Sequence, residues 1–325
     1  MIRSPRSTRF FAFVLCGVSA CSGADLVLPD EGEPAAVAVI QGNEQAGRAG
    51  ETLSQPVIAL VSDARGRPVA DVELALVLDG GGSAEPPSAR SGTDGTAAFQ
   101  VVLGTAIGSV AGRVEVVAAE GEPALTTPVT FTALSADAAG IVLLSGDGQS
   151  APVSTTLPQP LVVQVADVFG NPIAGVPVSW TAEGGGSVSE ATVPTDADGR
   201  SQVTRTLGSA AGTQLTLASA EGLAGSPVTF TATATPGSAA SLQAVSGDGQ
   251  SAIAGSALAD PLVVRLLDPE GNPVEGTAVA WVVGQGGGAV APETAPTGPD
   301  GLASTQWTLG GLLGTQSVTA VVSGV

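Results

Sequence analysis

A set of turn motifs recurs three times at intervals of about one hundred residues, and this repetition constrains the fold more than any other feature. A seven-residue turn containing Gly and Pro begins at Asp63, Asp167 and Asp268. Glycine triplets, Asp-Gly pairs and Leu-Gly pairs follow each turn in the same order and at nearly the same distances. Four independent markers therefore share one spacing, which predicts three tandem domains of similar structure.

The segments between these markers have the length and composition of short β-strands. They run for five to eight residues, are rich in Val, Leu and Thr, and end at Gly, Pro, Asn or Asp. Residues 96–103, 200–207 and 302–309 are an equivalent set, one from each repeat. About seven such strands in a hundred residues is typical of a β-sandwich. Aromatic residues make up only 3% of the chain, so Val, Leu, Ala and Ile must form the cores.

The composition excludes several kinds of chemistry. The chain has no His and no Lys, and only two Cys. Without His, neither a Ser-His-Asp triad nor a Cys-His pair can form. Without Lys, Schiff-base chemistry and a Walker phosphate loop are excluded. The sequence therefore predicts no catalytic residue, no metal ligand set and no cofactor, and it favours a protein that is not an enzyme.

The charge balance also limits the partners. Eleven basic residues stand against 30 acidic ones, which gives a net charge of −19. A strongly acidic chain is repelled by nucleic acid and by anionic lipid headgroups. We therefore expect no nucleic-acid partner.

The N-terminal segment has the pattern of an export signal. Arg3, Arg6 and Arg9 precede an apolar run at residues 10–20, which at 11 residues is too short to span a bilayer. The run ends in Val-Ser-Ala-Cys at residues 18–21, which resembles the bacterial lipobox. The alternative is an ordinary secretory signal that happens to be followed by a cysteine.

The lipobox resemblance implies how the chain is processed and anchored. It implies a signal peptide at residues 1–20, cleavage between Ala20 and Cys21, and lipidation of Cys21. Residues 21–34 are acidic and contain two prolines, so we interpret them as the lipidated Cys and a solvated tether. The expected location is the cell surface, with the lipid in the outer membrane, because Cys21 is not followed by Asp.

Several sequence blocks together resemble the bacterial Ig-like domains of group 1, which form the stalks of invasin and intimin adhesins. The blocks are GDGQS followed by PLVV, a D-x-x-G-N-P turn, a GGG loop, T-L-G and P-V-T-F-T-A. The resemblance implies a β-sandwich module that serves as a surface spacer or adhesive rod. It places Ig-like domains at residues 35–134, 136–235 and 238–325, in an elongated array.

The third of these domains is expected to be incomplete. The first two repeats close with PVTFTA, which starts at residues 128 and 227. The same spacing places the third copy beyond Val325, so we expect the last strand to be missing from domain 3.

The predicted function is that of a non-enzymatic, surface-anchored lipoprotein with an adhesin-type stalk. Two alternatives remain open. The chain is a module that binds a surface protein or glycan, or it carries a functional domain that lies beyond its C-terminus.

A few residues are candidates for specific roles. Trp180, Trp281 and Leu76 occupy equivalent strand positions and are predicted to lie in the cores, although an exposed Trp could instead stack on a sugar. The three turn Asp residues are predicted to cap their own turns, and the alternative is calcium binding at domain ends. Alternation places Arg205 on an inward face, for which the sequence offers no reason.

Overall fold

The computed structural model describes residues 32–117 and 124–325, and its regular elements are all β-strands. They form two compact units. The first contains the described residues up to Gln45, Thr52–Val102, and the described part of Ser109–Phe131. The second contains Ala46–Glu51, Leu103–Gly108 and Thr132–Val325. The all-β class predicted from the sequence is confirmed.

The strands of the first repeat form two antiparallel sheets. One sheet has the order β1-β3-β7-β5, and the other contains β9-β8-β4-β6. The strands are β1 Ala36–Gln41, β2 Ala46–Arg48, β3 Val57–Ser62, β4 Glu73–Leu78, β5 Gly82–Glu85, β6 Ser88–Arg90, β7 Thr96–Leu103, β8 Gly108–Val116 and β9 Thr126–Leu134.

The second repeat has a complete five-stranded sheet of order β11-β19-β18-β13-β15. It faces the strands β10-β12-β16 and the short pair β14-β17. The strands are β10 Gly140–Ser145, β11 Gln149–Pro152, β12 Leu161–Ala166, β13 Pro177–Glu183, β14 Ser187–Val188, β15 Thr192–Pro194, β16 Arg200–Val203, β17 Arg205–Thr206, β18 Gly212–Ser219 and β19 Val228–Thr235. Strand β11 runs parallel to β19, as β2 does to the end of β9.

The third repeat has the same first sheet and a smaller second one. The first has the order β20-β21-β25-β23, and the second has only β24-β22-β26. The strands are β20 Ser241–Ser246, β21 Leu262–Leu267, β22 Ala278–Val283, β23 Gly288–Ala291, β24 Thr294–Pro296, β25 Leu302–Leu309 and β26 Val318–Val321. Among the described residues, no strand corresponds to β19, the closing strand of the second repeat.

The cores follow from the alternation of residues along the strands. In β12, Leu161, Val163 and Val165 are at most 1% exposed and face the core of the second repeat. Burying a side chain of this size stabilises the fold by about 1.5–3 kcal/mol. Val and Leu therefore do the work that aromatic residues do in many sandwiches, since few aromatic residues are present.

The first strand of each repeat ends in a β-bulge and a tight turn at the G-x-x-Q motif. Gly146 and Gly247 have φ values of +96° and +91°. A Cβ at either position would lie 2.2 Å from a backbone carbonyl oxygen, of Pro160 or Pro261. Only glycine fits this turn, which explains why it recurs at the same place.

One strand of the second repeat differs from the prediction. Residues 96–103 and 302–309 each form one continuous strand, but 200–207 is divided into β16 and β17. The division falls at Thr204, whose backbone N–H donates to the Ser189 side chain at 3.2 Å. A side-chain acceptor there replaces a ladder partner, so the strand is interrupted.

Candidate functional site

The repeated D-x-x-G-x-P turn is the structural feature with the most connections outside its own segment. In each copy, Oδ1 of the Asp accepts hydrogen bonds from the backbone N–H groups two and four residues later. These distances are 2.9 and 2.9 Å at Asp63, 2.9 and 2.9 Å at Asp167, and 3.0 and 2.7 Å at Asp268. The carboxylate therefore holds the turn closed, as the turn interpretation of these residues requires.

The third copy of the turn also binds the segments that precede its repeat. Asn272 Nδ2 donates to the Ser209 carbonyl oxygen at 2.9 Å, and Asn272 Oδ1 accepts from Ala211 N–H at 2.9 Å. The linker contributes Gly237, whose N–H donates to Asp268 Oδ2 at 2.9 Å. One turn thus connects the second repeat, the linker and the third repeat.

The second copy makes the same pattern of bonds with other segments of the second unit. Asn171 Nδ2 donates to the Thr105 carbonyl oxygen at 2.8 Å. Ala136 N–H donates to Asp167 Oδ2 at 3.0 Å. The repeated Asn of the Gly-Asn-Pro sequence is therefore used twice for the same purpose.

The first copy of the turn has Arg67 in place of this Asn. Its guanidinium binds Asp63 Oδ2 through Nε at 2.8 Å and through Nη2 at 2.7 Å. Here the long side chain turns back onto its own Asp. The residue four positions after the Asp thus distinguishes the first turn from the two that bind a preceding segment.

Hydrogen bonding keeps these carboxylates ionised. Burial raises the pKa of Asp268, but the bonds from Asn272, Gly237 and Glu270 outweigh it and bring the pKa below its ordinary value of 3.8. At Asp167, burial is likewise outweighed by bonds from Asn171 and its neighbours, and the pKa is lowered. The backbone N–H of Arg67 is the main cause of the lowered pKa of Asp63.

The other acidic turns serve their own backbones in the same way. Asp196 Oδ1 accepts from Asp198 N–H at 2.9 Å and from Arg200 N–H at 2.8 Å. Asp94 Oδ1 binds Thr96 N–H and Asp300 Oδ1 binds Leu302 N–H, both at 3.0 Å. In residues 32–117 and 124–325, no three His, Cys, Asp or Glu side chains form a cluster able to hold a metal ion.

The structure places the three predicted core residues inside the strands. Trp180 is 3% exposed, Trp281 is 6% exposed and Leu76 is 5% exposed. Trp180 Nε1 donates to Ser201 Oγ at 3.1 Å, and the ring centroids of Trp180 and Phe230 are 5.7 Å apart. At these exposures, neither Trp presents a ring face on which a sugar could stack.

Arg205 is a buried residue whose role the sequence did not reveal. It is 1% exposed, and burial lowers its pKa. Its Nη2 donates to the carbonyl oxygens of Glu183 at 3.3 Å and Gly185 at 2.6 Å, and its Nε donates to Thr216 Oγ1 at 3.1 Å. The guanidinium therefore holds the glycine loop after β13, where the exposed carbonyls need donors.

The export and anchoring residues Ala20 and Cys21, with the rest of residues 1–31, lie outside the described part of the chain. Within that part, no helix is long and apolar enough to span a lipid bilayer.

Comparison with known proteins bears on the fold. Residues 158–233 match the family model of the bacterial Ig-like domain, group 1. No curated protein matches the sequence. Among solved structures, the Escherichia coli adhesin FdeC is 20% identical with a TM-score of 0.50, and the match covers 92% of this chain and 96% of that one.

Two further adhesins show weaker likeness. InvD of Yersinia pseudotuberculosis is 15% identical with a TM-score of 0.46, over 86% of this chain and 82% of that one. Invasin, described as a bacterial integrin-binding protein, is 18% identical with a TM-score of 0.40, over 89% of this chain and 57% of that one. These two scores support no further argument. The family match and the FdeC likeness confirm the predicted resemblance, and the fold is a tandem Ig-like array in which residues 158–233 match the bacterial Ig-like domain of group 1.

Proposed function

We propose that this chain is a non-enzymatic surface lipoprotein whose Ig-like repeats act as a stalk of the adhesin type. Its export signal is residues 1–20, and its membrane attachment is a lipid on Cys21. The Ig-like fold, which it shares with an adhesin, supports the stalk role, and the lipobox resemblance supports the anchor.

The observation that carries the stalk role is the set of hydrogen bonds around Asp268 and Asn272. A flexible tether needs no bonds between its linker and the adjoining domains. Here the turn binds Gly237 in the linker and both Ser209 and Ala211 in the preceding repeat. Fixed joints limit bending between neighbouring repeats, which is what a spacer requires.

The charge of the chain suits a dense surface layer. A net charge of −19 makes neighbouring copies repel one another and keeps them soluble. The same charge disfavours anionic headgroups, so attachment requires the acyl chains, each buried methylene of which contributes about 0.8 kcal/mol.

Replacement of the anchoring cysteine tests this proposal. Cys21→Ala is expected to abolish incorporation of labelled palmitate and to move the protein out of the detergent phase. The matched control is Cys16→Ala, because Cys16 lies within the signal and is removed with it. The anchor proposal fails if the Cys21→Ala protein remains lipid-labelled, or if Cys16→Ala has the same effect as Cys21→Ala.

A second candidate function, adhesion to a surface protein or glycan, is favoured by one exposed loop. Leu312 and Leu313 follow β25 and are 68% and 92% exposed. Adjacent exposed leucines on an otherwise polar loop are a common feature of binding surfaces. Glycan-array and surface-protein binding should be saturable and should be lost in a Leu312→Ser, Leu313→Ser variant, and unchanged binding would exclude this loop.

A further inference from the structure

The second repeat shows how a complete sheet of this family is closed. Strand β19 pairs antiparallel with β18, and residues Val228, Phe230, Ala232 and Ala234 face inward. Phe230 lies opposite Thr216 in this pairing and packs against Trp180. One strand thus supplies a ladder partner and an aromatic side chain to the core.

The third repeat has the same pairing up to this strand. Trp281 lies opposite Ala320, as Trp180 lies opposite Ala218. Among the described residues, however, β26 pairs only with β22, and its other edge has no strand beside it. The backbone groups on that edge are available to another strand.

A groove of about 870 Å³ lies beside this edge. Its lining includes Trp281, Trp307, Leu258, Val264 and Val318. Both indole N–H groups are buried and have no hydrogen-bond partner within the described residues. Asp248 is the one charged residue in the lining, so the groove is suited to an uncharged, apolar occupant.

The loop beside the groove carries groups that bind the closing strand in the other repeats. Asp147 Oδ1 accepts from Thr231 N–H at 2.7 Å, and Gly148 N–H donates to the Thr231 carbonyl at 2.9 Å. In the first repeat, Asn43 Oδ1 accepts from Thr130 N–H at 2.9 Å. Each bond engages the residue directly after the inward Phe.

In the third repeat the equivalent loop is formed, and its strand-binding group is free. Gln250 Nε2 donates to the carbonyl oxygens of Gly247 at 2.7 Å and Asp260 at 2.9 Å, as Gln149 does to Gly146 and Gln159. Asp248 has no hydrogen-bond partner among the described residues. The loop is therefore shaped for a strand that is not beside it.

We propose that this groove is a strand-acceptor site, which binds an extended, uncharged segment of another polypeptide antiparallel to β26. The segment has the inward pattern Val-x-Phe-x-Ala-x-Ala of β19. Its Phe lies opposite Val318 and packs on Trp281, and the N–H of the next residue donates to Asp248. The chemistry is β-strand addition to a free sheet edge, with one aromatic anchor that sets the register.

A peptide-binding experiment tests this proposal. The probe is a fluorescein-labelled peptide with the sequence PVTFTATA of residues 227–234, titrated with the full chain in detergent and followed by fluorescence anisotropy. Saturable binding is expected. A peptide that carries Phe230→Asp is expected to bind at least about tenfold more weakly, because a carboxylate cannot replace the ring against Trp281.

Two matched protein variants locate the site. Asp248→Ala removes the proposed acceptor and is expected to weaken binding about tenfold. Asp147→Ala removes the same group from the second repeat, where the place of the strand is filled, and is expected to leave the affinity for the peptide unchanged. Absence of saturable binding, equal binding of the two peptides, or equal effects of the two variants would each overturn the proposal. A concentration-dependent dimer that excludes the peptide would also overturn it, because the occupant would then be a second copy.

Discussion

The second and third repeats share their turns and their strand register, but they differ in what covers the sheet that contains the Trp. In the second repeat, β19 packs Phe230 against Trp180, and Ser201 accepts the indole N–H. In the third repeat, the indole N–H of Trp281 is buried without a partner, and Ala303 stands where Ser201 would be. The turns and the alternating strands therefore form the framework without the closing strand, which covers the core afterwards.

The largest expected contrast between the repeats comes from deleting each Trp. Trp180→Ala should reduce the free energy of unfolding of the second repeat by about 3–5 kcal/mol. Trp281→Ala should cost the third repeat about half as much, because Trp281 already lines an open groove and loses fewer contacts. Hydrogen-exchange mass spectrometry on peptides from each repeat measures both values. Equal losses would show that the groove does not reduce the packing of Trp281.

The next effect concerns the buried cation that the third repeat lacks. Arg205→Ala should destabilise the second repeat by about 3 kcal/mol, since the carbonyls of Glu183 and Gly185 lose their donor. Arg200→Ala is the control, because its ion pair with Asp198 is exposed and its N–O distance is 3.8 Å. Chemical denaturation followed by hydrogen exchange in the glycine loop distinguishes the two. A loss as small as that of Arg200→Ala would mean that water replaces the guanidinium without cost.

A reciprocal exchange sharpens the comparison of the two indoles. Ser201→Ala leaves the Trp180 N–H without an acceptor and should destabilise the second repeat by about 1–3 kcal/mol. Ala303→Ser offers Trp281 the acceptor that it lacks and should stabilise the third repeat by about 1 kcal/mol. Thermal unfolding of both variants is the measurement. If both substitutions shift stability in the same direction, the equivalence of the two sites is wrong.

The smallest expected effect is on the joint, and it depends on pH. The pKa of Asp268 in the folded protein lies below its ordinary value of 3.8. Its contribution to stability is therefore full above that value and is lost as the pH falls through the lower, folded pKa. Asp268→Asn should cost about 1 kcal/mol at pH 7, and the cost should disappear near pH 2. A cost that does not change with pH would exclude the carboxylate as its source.

Much of the framework could be predicted from the sequence because it depends on local signals. The Gly-Asp-Gly-Gln turn has a glycine where no Cβ fits, and strands such as 96–103 alternate between apolar and polar residues. The inward position of Arg205 also followed from this alternation. These features depend on residues close together in the chain, so their pattern is visible in one dimension.

The remaining features depend on contacts between distant segments. The partners of Arg205 lie 9 to 22 residues away, apart from its neighbour Thr206, and they are mostly backbone carbonyls, which carry no residue identity. The bonds from Asn272 to Ser209 and Ala211 join residues more than 60 positions apart. The recurrence of Gly-Asn-Pro in two turns, with Arg67 in the third, was the one sequence signal for the joint, and its meaning required the contacts.

The parallel pairing of β11 with β19 has a consequence for mechanical load. These two strands lie near opposite ends of the second repeat in the chain, and four residue pairs join them. Tension applied through the preceding and following segments slides one strand along the other, so it loads the hydrogen bonds of that ladder together instead of opening them one by one. Forced unfolding is governed by the rate of crossing the barrier to rupture, and a ladder loaded in shear raises that barrier. In a pulled chain, the second repeat should therefore rupture at higher force than the third, whose described residues contain no such pair.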